Sequence, residues 1–214
     1  MYDFHCHTTM SDGEMLPTEL IRRMAILGYT EMAISDHADF SNVEELIRAE
    51  GMVKRSAALY GISMYAGIEI THVPPEQIDE LARYAKGIGA EVVVVHGETV
   101  TEPVAPGTNA AAVSSSYVDI LAHPGLITEE DARLAAQNGV VLEVTSRCGH
   151  NWTNGHVVSS ARRAGAEIVV ESDAHGPGDL LGERMRFLVA HGAGMSEEEA
   201  NRVLSRSYDS LFSQ

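Results

Sequence analysis

Two histidines open the chemistry of this chain. They stand two residues apart in its first stretch, Met1-Tyr-Asp-Phe-His-Cys-His-Thr-Thr-Met-Ser-Asp12. Side chains alternate faces along a strand, so Asp3, His5 and His7 are expected to project the same way. Paired imidazoles on one strand face pack poorly in a core. They chelate well, because both reach one ion without backbone movement. Asp12 follows in Ser11-Asp12-Gly13, a turn sequence that can curl back over the strand end. Taken alone, the fragment equally suits an edge strand with two solvated histidines.

The other histidines decide between these readings. His37, Glu69, His96, His123, Asp173 and His175 each fall at or just past the C-terminal end of a predicted strand. Six of the chain's ten histidines are thus placed, where chance would scatter them over helix surfaces. Six imidazoles and three carboxylates without a thiolate pair suit Zn, Mn or Fe, rather than Ca or a cysteine-type structural zinc. Nine donors are too many for one ion and fit two or three, with Glu69 as the natural bridge. Three divalent cations against three carboxylates leave a positive pit, matched to a phosphate dianion.

The elements that must position these groups alternate regularly. Predicted strands cover Tyr2–His7, Glu31–Asp36, Ile62–Ile70, Glu91–Val95, Val118–Ala122, Val140–Thr145 and Glu167–Ser172. Apolar spacing and caps predict helices over Pro17–Leu27, Val43–Tyr60, Pro75–Ile88, Asn109–Ser115, Thr128–Gln137, Thr153–Ala164, Asp179–Ala190 and Ser196–Ser207. Thr128 with Asp131, and Ser196 with Glu199, read as helix caps. Strand and helix alternate seven times, which means parallel strands with helical crossovers. An open doubly wound sheet and a (β/α) barrel one unit short of eight both fit. An open sheet builds its site at one switch point, whereas a barrel turns every strand end toward one mouth, so the spread of polar residues favours the barrel.

Composition narrows the class. The chain has 214 residues, 44% hydrophobic and 21% charged, and is read as one domain over residues 1–214. A net charge of −16 argues against extended nucleic acid or anionic membrane as partner. Two cysteines, Cys6 and Cys148, form no disulfide framework and favour a reducing, cytoplasmic setting. There is no signal peptide, and no apolar run is long enough to span a bilayer.

The motifs His5-x-His7 with Ser11-Asp12-Gly13, then Ser35-Asp36-His37, Gly67-Ile68-Glu69, His96-Gly97, Ala122-His123-Pro124 and Ser172-Asp173-Ala174-His175 together resemble the polymerase and histidinol phosphatase (PHP) family. The resemblance covers almost the whole chain, in family order. It implies a distorted (β/α)7 TIM-like barrel and phosphoester hydrolysis by a metal-bridging hydroxide at a di- or trinuclear site. It allots one ion to His5, His7, Glu69 and Asp173, a second to Glu69, His96 and His123, and a third to Asp12, His37 and His175. Asp12, Glu69, Asp173 and His175 are the expected catalytic residues. No ligand position is missing, so an active enzyme is expected.

Arg147 shares strand parity with Glu143 and Thr145 and is expected at the mouth, forked onto phosphate. His72, just past Glu69, is a candidate acid for the leaving group. His150 and Asn154 are further candidates for substrate contact. Asp3 and Glu171, one layer deeper on the ligand face, are expected to orient ligand histidines by hydrogen bonds. The expected partner is a small phosphorylated substrate, with a phosphomonoester such as histidinol phosphate as first reading. Alternatives are a phosphodiesterase or exonuclease on nucleotides or short oligonucleotides, and a non-catalytic PHP scaffold subunit.

Overall fold

The computed structural model describes residues 1–208. Its elements run β1 Tyr2–Asp3, α1 Pro17–Leu27, β2 Glu31–Ile34, β3 His37–Ala38, α2 Val43–Leu59, β4 Ser63–Ile70, α3 Pro75–Gly87, β5 Val92–His96 and α4 Thr108–Ser114. They continue β6 Ile120–Ala122, α5 Glu129–Asn138, β7 Val141–Thr145, a 3-10 turn His150–Thr153, α6 Asn154–Ala164, β8 Ile168–Glu171, α7 Glu183–Gly192 and α8 Glu197–Leu204. Every pairing is parallel, in the order β1-β2-β4-β5-β6-β7-β8. β3 also pairs β4, His37 opposite Glu69, and so prolongs β2 along the same neighbour. Seven staves therefore form a distorted (β/α)7 barrel, nearly closed by a parallel bridge between Cys6 and Ala174 and by the His7 N–H donating to the Ala174 carbonyl at 2.8 Å. Among the described residues no helix is long and apolar enough to cross a membrane.

Period-two patterning sets the walls. On β5, Val92 and Val94 pack inside the barrel with Ile120, Val141 and Val169, while Val93 and Val95 pack outward under the helices. The same alternation carries β5 inward at His96. Tyr2, Phe4 and Tyr208 fill the interior with aromatic rings whose centroids lie 4.8–5.4 Å apart. The barrel is thus apolar in its lower half and polar toward the strand ends. Caps hold the outer helices as expected. The Thr128 hydroxyl accepts the Asp131 N–H, and Ser196 with Glu199 forms a full capping box.

Two boundaries differ from expectation. The first strand was expected to reach His7, but its ladder stops at Asp3. Beyond it, side chains replace the backbone acceptors: Glu171 takes the Phe4 N–H at 3.0 Å and the Ser35 hydroxyl takes the Cys6 N–H at 3.1 Å. A helix was expected from Asp179, but α7 begins at Glu183. The Asp179 carboxylate instead accepts the N–H groups of His175 and Gly176, at 3.0 and 2.8 Å, and folds this segment back over the strand end.

Candidate metal centre

The nine residues singled out by pattern converge at the C-terminal mouth of the barrel. His7 Nε2 lies 3.2 Å from an Asp173 oxygen, and His5 Nε2 lies 3.3 Å from Glu69 Oε1. His123 Nε2 is 3.6 Å from the same Glu69 oxygen, and His96, His123 and Glu69 can present donor atoms to one ion. Toward solvent, Asp12 Oδ1 lies 3.2 Å from His175 Nε2 and 3.4 Å from His37 Nε2. Those three residues and His7 form another group of donors, and His5, His7 and Glu69 form a third. His5, His7 and Glu69 are fully buried, whereas Asp12 is 56% exposed at the rim.

Local backbone explains how the groups are aimed. The only non-glycine residues with positive φ among the described residues are His72, His123 and Asp173. All three belong to the predicted site, where strain is commonly stored. Gly97 follows His96 because a Cβ there would meet the Ala122 carbonyl oxygen at 2.3 Å. That close approach brings the ends of β5 and β6 together, and with them His96 and His123. On the first loop, Asp36 accepts from the Thr8 N–H at 2.7 Å and from the Thr8 and Ser11 hydroxyls at 2.6 and 2.5 Å. It thereby anchors the turn that presents Asp12.

The unpartnered atoms of this cluster fit a bound cation. His5 Nε2, both ring nitrogens of His7, and Glu69 Oε1 are buried with no hydrogen-bond partner. Orphaned polar atoms of this kind are costly unless a ligand satisfies them. Burial opposes charge on Glu69 and Asp173, but the surrounding imidazoles outweigh it and hold both carboxyls below their ordinary range. Burial likewise opposes charge on His37, but Glu69 and Asp12 push its pKa up to about 10. Burial pulls His96 down to about 4. The mouth therefore offers ionised carboxylates and, at His96, a neutral imidazole, which are the forms that bind a cation.

The residue that orients a mouth histidine is Glu143, a correction to the expectation for Asp3 and Glu171. Glu143 Oε1 sits 2.9 Å from His5 Nδ1, and its other oxygen accepts the His123 N–H at 2.7 Å. Asp3 instead accepts backbone N–H groups of His5 and Ser172, and Glu171 that of Phe4, so both stitch the barrel seam. Sequence reasoning named Glu143 only as a parity neighbour of Arg147; its place two residues before Thr145, on the inward face of β7, was the available signal.

A cavity of about 420 Å³ opens above the cluster. Arg147, His72 and His150 line it, as expected of substrate contacts. Arg147 Nη1 is 3.4 Å from Asp179 Oδ2, which steadies the guanidinium at the rim. Asn154 does not reach the cavity. Its amide is buried and spent on Thr145, accepting the N–H at 3.2 Å and donating to the carbonyl at 2.7 Å, so the expectation of a substrate contact there is corrected to a clamp on β7. Glu102, which pattern reading missed, also lines the cavity. His156 and His191 bond backbone carbonyls of Ile127 and Met195 away from it.

Comparison with known proteins follows the same lines. The chain is 46% identical over 205 residues to an uncharacterized protein of Methanocaldococcus jannaschii, covering 95% of this chain and 94% of that one. It is 25% identical over 230 residues to a ribonuclease P protein component 3 of Methanosarcina barkeri, covering 96% and 89%. Its fold matches a histidinol phosphate phosphatase from Lactococcus lactis, solved with zinc, L-histidinol and phosphate, at TM-score 0.63 and 15% identity over 91% of this chain and 94% of that one. The PHP domain model matches residues 3–143, about two thirds of the chain. The chain belongs to the PHP domain family and is a metal-dependent phosphoesterase.

Proposed function

We propose that this protein hydrolyses a small phosphomonoester of the histidinol phosphate kind, using two or three divalent ions of Zn, Mn or Fe held by His5, His7, Asp12, His37, Glu69, His96, His123, Asp173 and His175. The observation that carries the reading is the convergence of these donors beneath one cavity of about 420 Å³, room for a small ester. The Lactococcus neighbour, solved with zinc, histidinol and phosphate, supports it. His5, His7, Glu69 and Asp173 would hold one ion, Glu69, His96 and His123 a second, and Asp12, His37 and His175 a third. Ions bound there would polarise the phosphoryl oxygens and make water nucleophilic near neutral pH.

The chain's own residues do the rest. Glu143 accepts a hydrogen bond from the His5 Nδ1–H, which leaves the Nε2 lone pair free for an ion. Thr71 Oγ1, 2.7 Å from His37 Nδ1, fixes the tilt of that ring at the rim. Arg147 takes two phosphate oxygens in its fork. His72, half-exposed on the cavity edge, donates the proton to the departing alkoxide. Residues 1–214 act as one domain, with no membrane partner.

The test is a hydrolysis screen of purified protein loaded in turn with Mn, Zn, Fe and Co, against histidinol phosphate, nucleotides, sugar phosphates and a bis-ester, with metal analysis alongside. Hydrolysis of monoesters by protein carrying two or three ions is expected. Metal uptake with turnover of the bis-ester alone would favour a second reading, a phosphodiesterase or exonuclease on nucleotides. One observation supports that alternative. Near Ser41 at the cavity edge lies a separate groove of about 670 Å³ lined by Phe40, Glu44, Glu80, Arg83 and Tyr84, whose aromatic rings could stack a base. Likeness to a ribonuclease P component supports a third, a scaffold subunit, in which metal and turnover would be dispensable.

A further inference from the structure

The loop between β5 and α4 carries one carboxylate into the cavity. Glu102 Oε2 lies 3.3 Å from His96 Nε2 and 3.9 Å from His72 Nε2, and its Oε1 lies 3.4 Å from His150 Nε2. The roots of this loop are pinned. Glu98 accepts the N–H groups of Gly107 and Asn109 at 3.0 and 2.9 Å, and Asn109 in turn accepts the Glu98 N–H and donates to the Pro124 carbonyl, each at 2.9 Å. The loop is thereby tied to the segment that follows His123, and Glu102 is held over the β5–β6 side of the mouth.

Nitrogen–oxygen separations in the mouth fall into two classes. His5 Nδ1 to Glu143 at 2.9 Å and His37 Nδ1 to Thr71 at 2.7 Å are hydrogen bonds. His7 Nε2 to Asp173 at 3.2 Å, His5 Nε2 to Glu69 at 3.3 Å and His123 Nε2 to Glu69 at 3.6 Å are longer than charge-assisted hydrogen bonds should be. Two donors each about 2.1 Å from one tetrahedral ion stand about 3.4 Å apart, so pairs of this longer class have room for an ion between them. Glu102 to His96 belongs to that class. His150 supplies a second observation. It is only 7% exposed, its Nδ1 has no hydrogen-bond partner, and its ring centroid is 4.3 Å from that of His123. A buried imidazole thus stands beside His123 with its Nε2 turned toward Glu102.

We propose that Glu102 is a further ligand of the ion held by His96 and His123, with His150 steadying its second oxygen. This inference rests on the metal-dependent reading above. A carboxylate there lowers the positive charge of that ion's surroundings by one unit and fills a coordination position. Glu102 is 42% exposed on a loop, whereas Glu69 is buried in β4, so of the two carboxylates Glu102 would be the more loosely held.

The test is calorimetric titration of chelator-stripped protein with Zn or Mn, for wild type, Glu102→Gln, Glu102→Ala and His150→Ala, with thermal melts as the check on folding. Wild type should take up two or three ions. Both Glu102 variants should bind one of them about 10-fold to 100-fold more weakly and the remainder unchanged, with His150→Ala intermediate. The near-isosteric glutamine variant keeps the test open should the alanine variant misfold. Wild-type affinity at every site in folded Glu102→Gln would overturn the inference. Failure of the wild type to bind any ion would overturn the metal-dependent reading instead, so the two failures are distinct.

Discussion

The molecule buries carboxylates in two layers, and they behave oppositely. At the mouth, Glu69 and Asp173 are surrounded by imidazoles and stay ionised despite burial. Away from the mouth, Asp3 and Glu171 one layer deeper and Glu50 on α2 are equally buried, yet burial pushes their carboxyls up. Each of these three gives one oxygen to backbone N–H groups, Phe4 for Glu171, Ser172 for Asp3, and Gly67 at 2.7 Å for Glu50, and its other oxygen has no hydrogen-bond partner. Hydrogen bonds to a few amides do not offset the loss of water around a charge, nor does the single Arg186 charge at Asp3, whereas the several imidazoles around Glu69 and Asp173 do. Residue type and depth are the same in both layers; the partners decide which group is ready to hold a cation and which one braces the barrel.

Substitutions should separate the layers by their readout. The largest loss is expected from Glu69→Ala, which removes an oxygen donor facing His5, His37 and His123. Hydrolysis should fall by at least about a thousandfold, with metal analysis showing fewer ions and circular dichroism an intact fold. Wild-type turnover in that variant would erase the distinction between the layers and favour the scaffold reading.

Arg147→Ala comes next. It should keep its metals and its melting temperature and lose roughly 2–4 kcal/mol of transition-state stabilisation with a phosphomonoester, read as kcat/KM. Arg147→Lys should recover part of that loss, because a point charge replaces a planar fork.

Glu143 lies at the border, and Glu143→Gln sharpens it. The amide keeps the side-chain shape but removes the charge behind His5. Metal affinity should weaken by about 10-fold to 100-fold in chelator competition, with a smaller change in stability.

Glu50→Gln probes a buried carboxyl remote from the mouth, on α2. Its carboxyl is held above the ordinary value of 4.5, with burial as the first cause. Between that value and the higher native one, the folded state keeps a proton that the unfolded chain has released. Wild-type stability should therefore decline as pH rises above about 4.5 through the native pKa. The glutamine variant should show a shallower decline in urea melts across pH, because Asp3 and Glu171 still contribute, with unchanged kcat. An identical pH dependence in the two proteins would show that Glu50 does not titrate this way.

Asn154→Ala should show the smallest effect. It removes two hydrogen bonds to Thr145, so stability should drop by about 1–3 kcal/mol in denaturant melts while KM for substrate stays unchanged.

Much of this was legible in the chain itself. His5, His7, His37, His96, His123 and His175, with Asp12, Glu69 and Asp173, announced themselves because each follows a strand pattern, and parallel strands in a barrel deliver their ends to one mouth. The apolar periodicities placed the helices to within a few residues because packing against a sheet demands one greasy face. Three things escaped. Asp3 and Glu171 shared the ligand face by parity, but which carboxylate meets His5 depends on how β1 leaves its ladder after Asp3, and that departure is set by acceptors on β8 and on the segment after β2. Asn154 stood in a polar loop beside Arg147, but its direction was decided by the 3-10 turn that swings it under Thr145. Glu102 sat in a Pro- and Gly-bearing segment with no period to read, and only the pins from Glu98 and Asn109 bring it above His96. Local pattern determines what a backbone segment becomes and which face it buries, because those depend on residues a few positions apart. Which buried charge meets which partner depends on distances across the barrel, between residues on different elements and as far apart as His5 and Glu143, and the closed tertiary structure alone decides it.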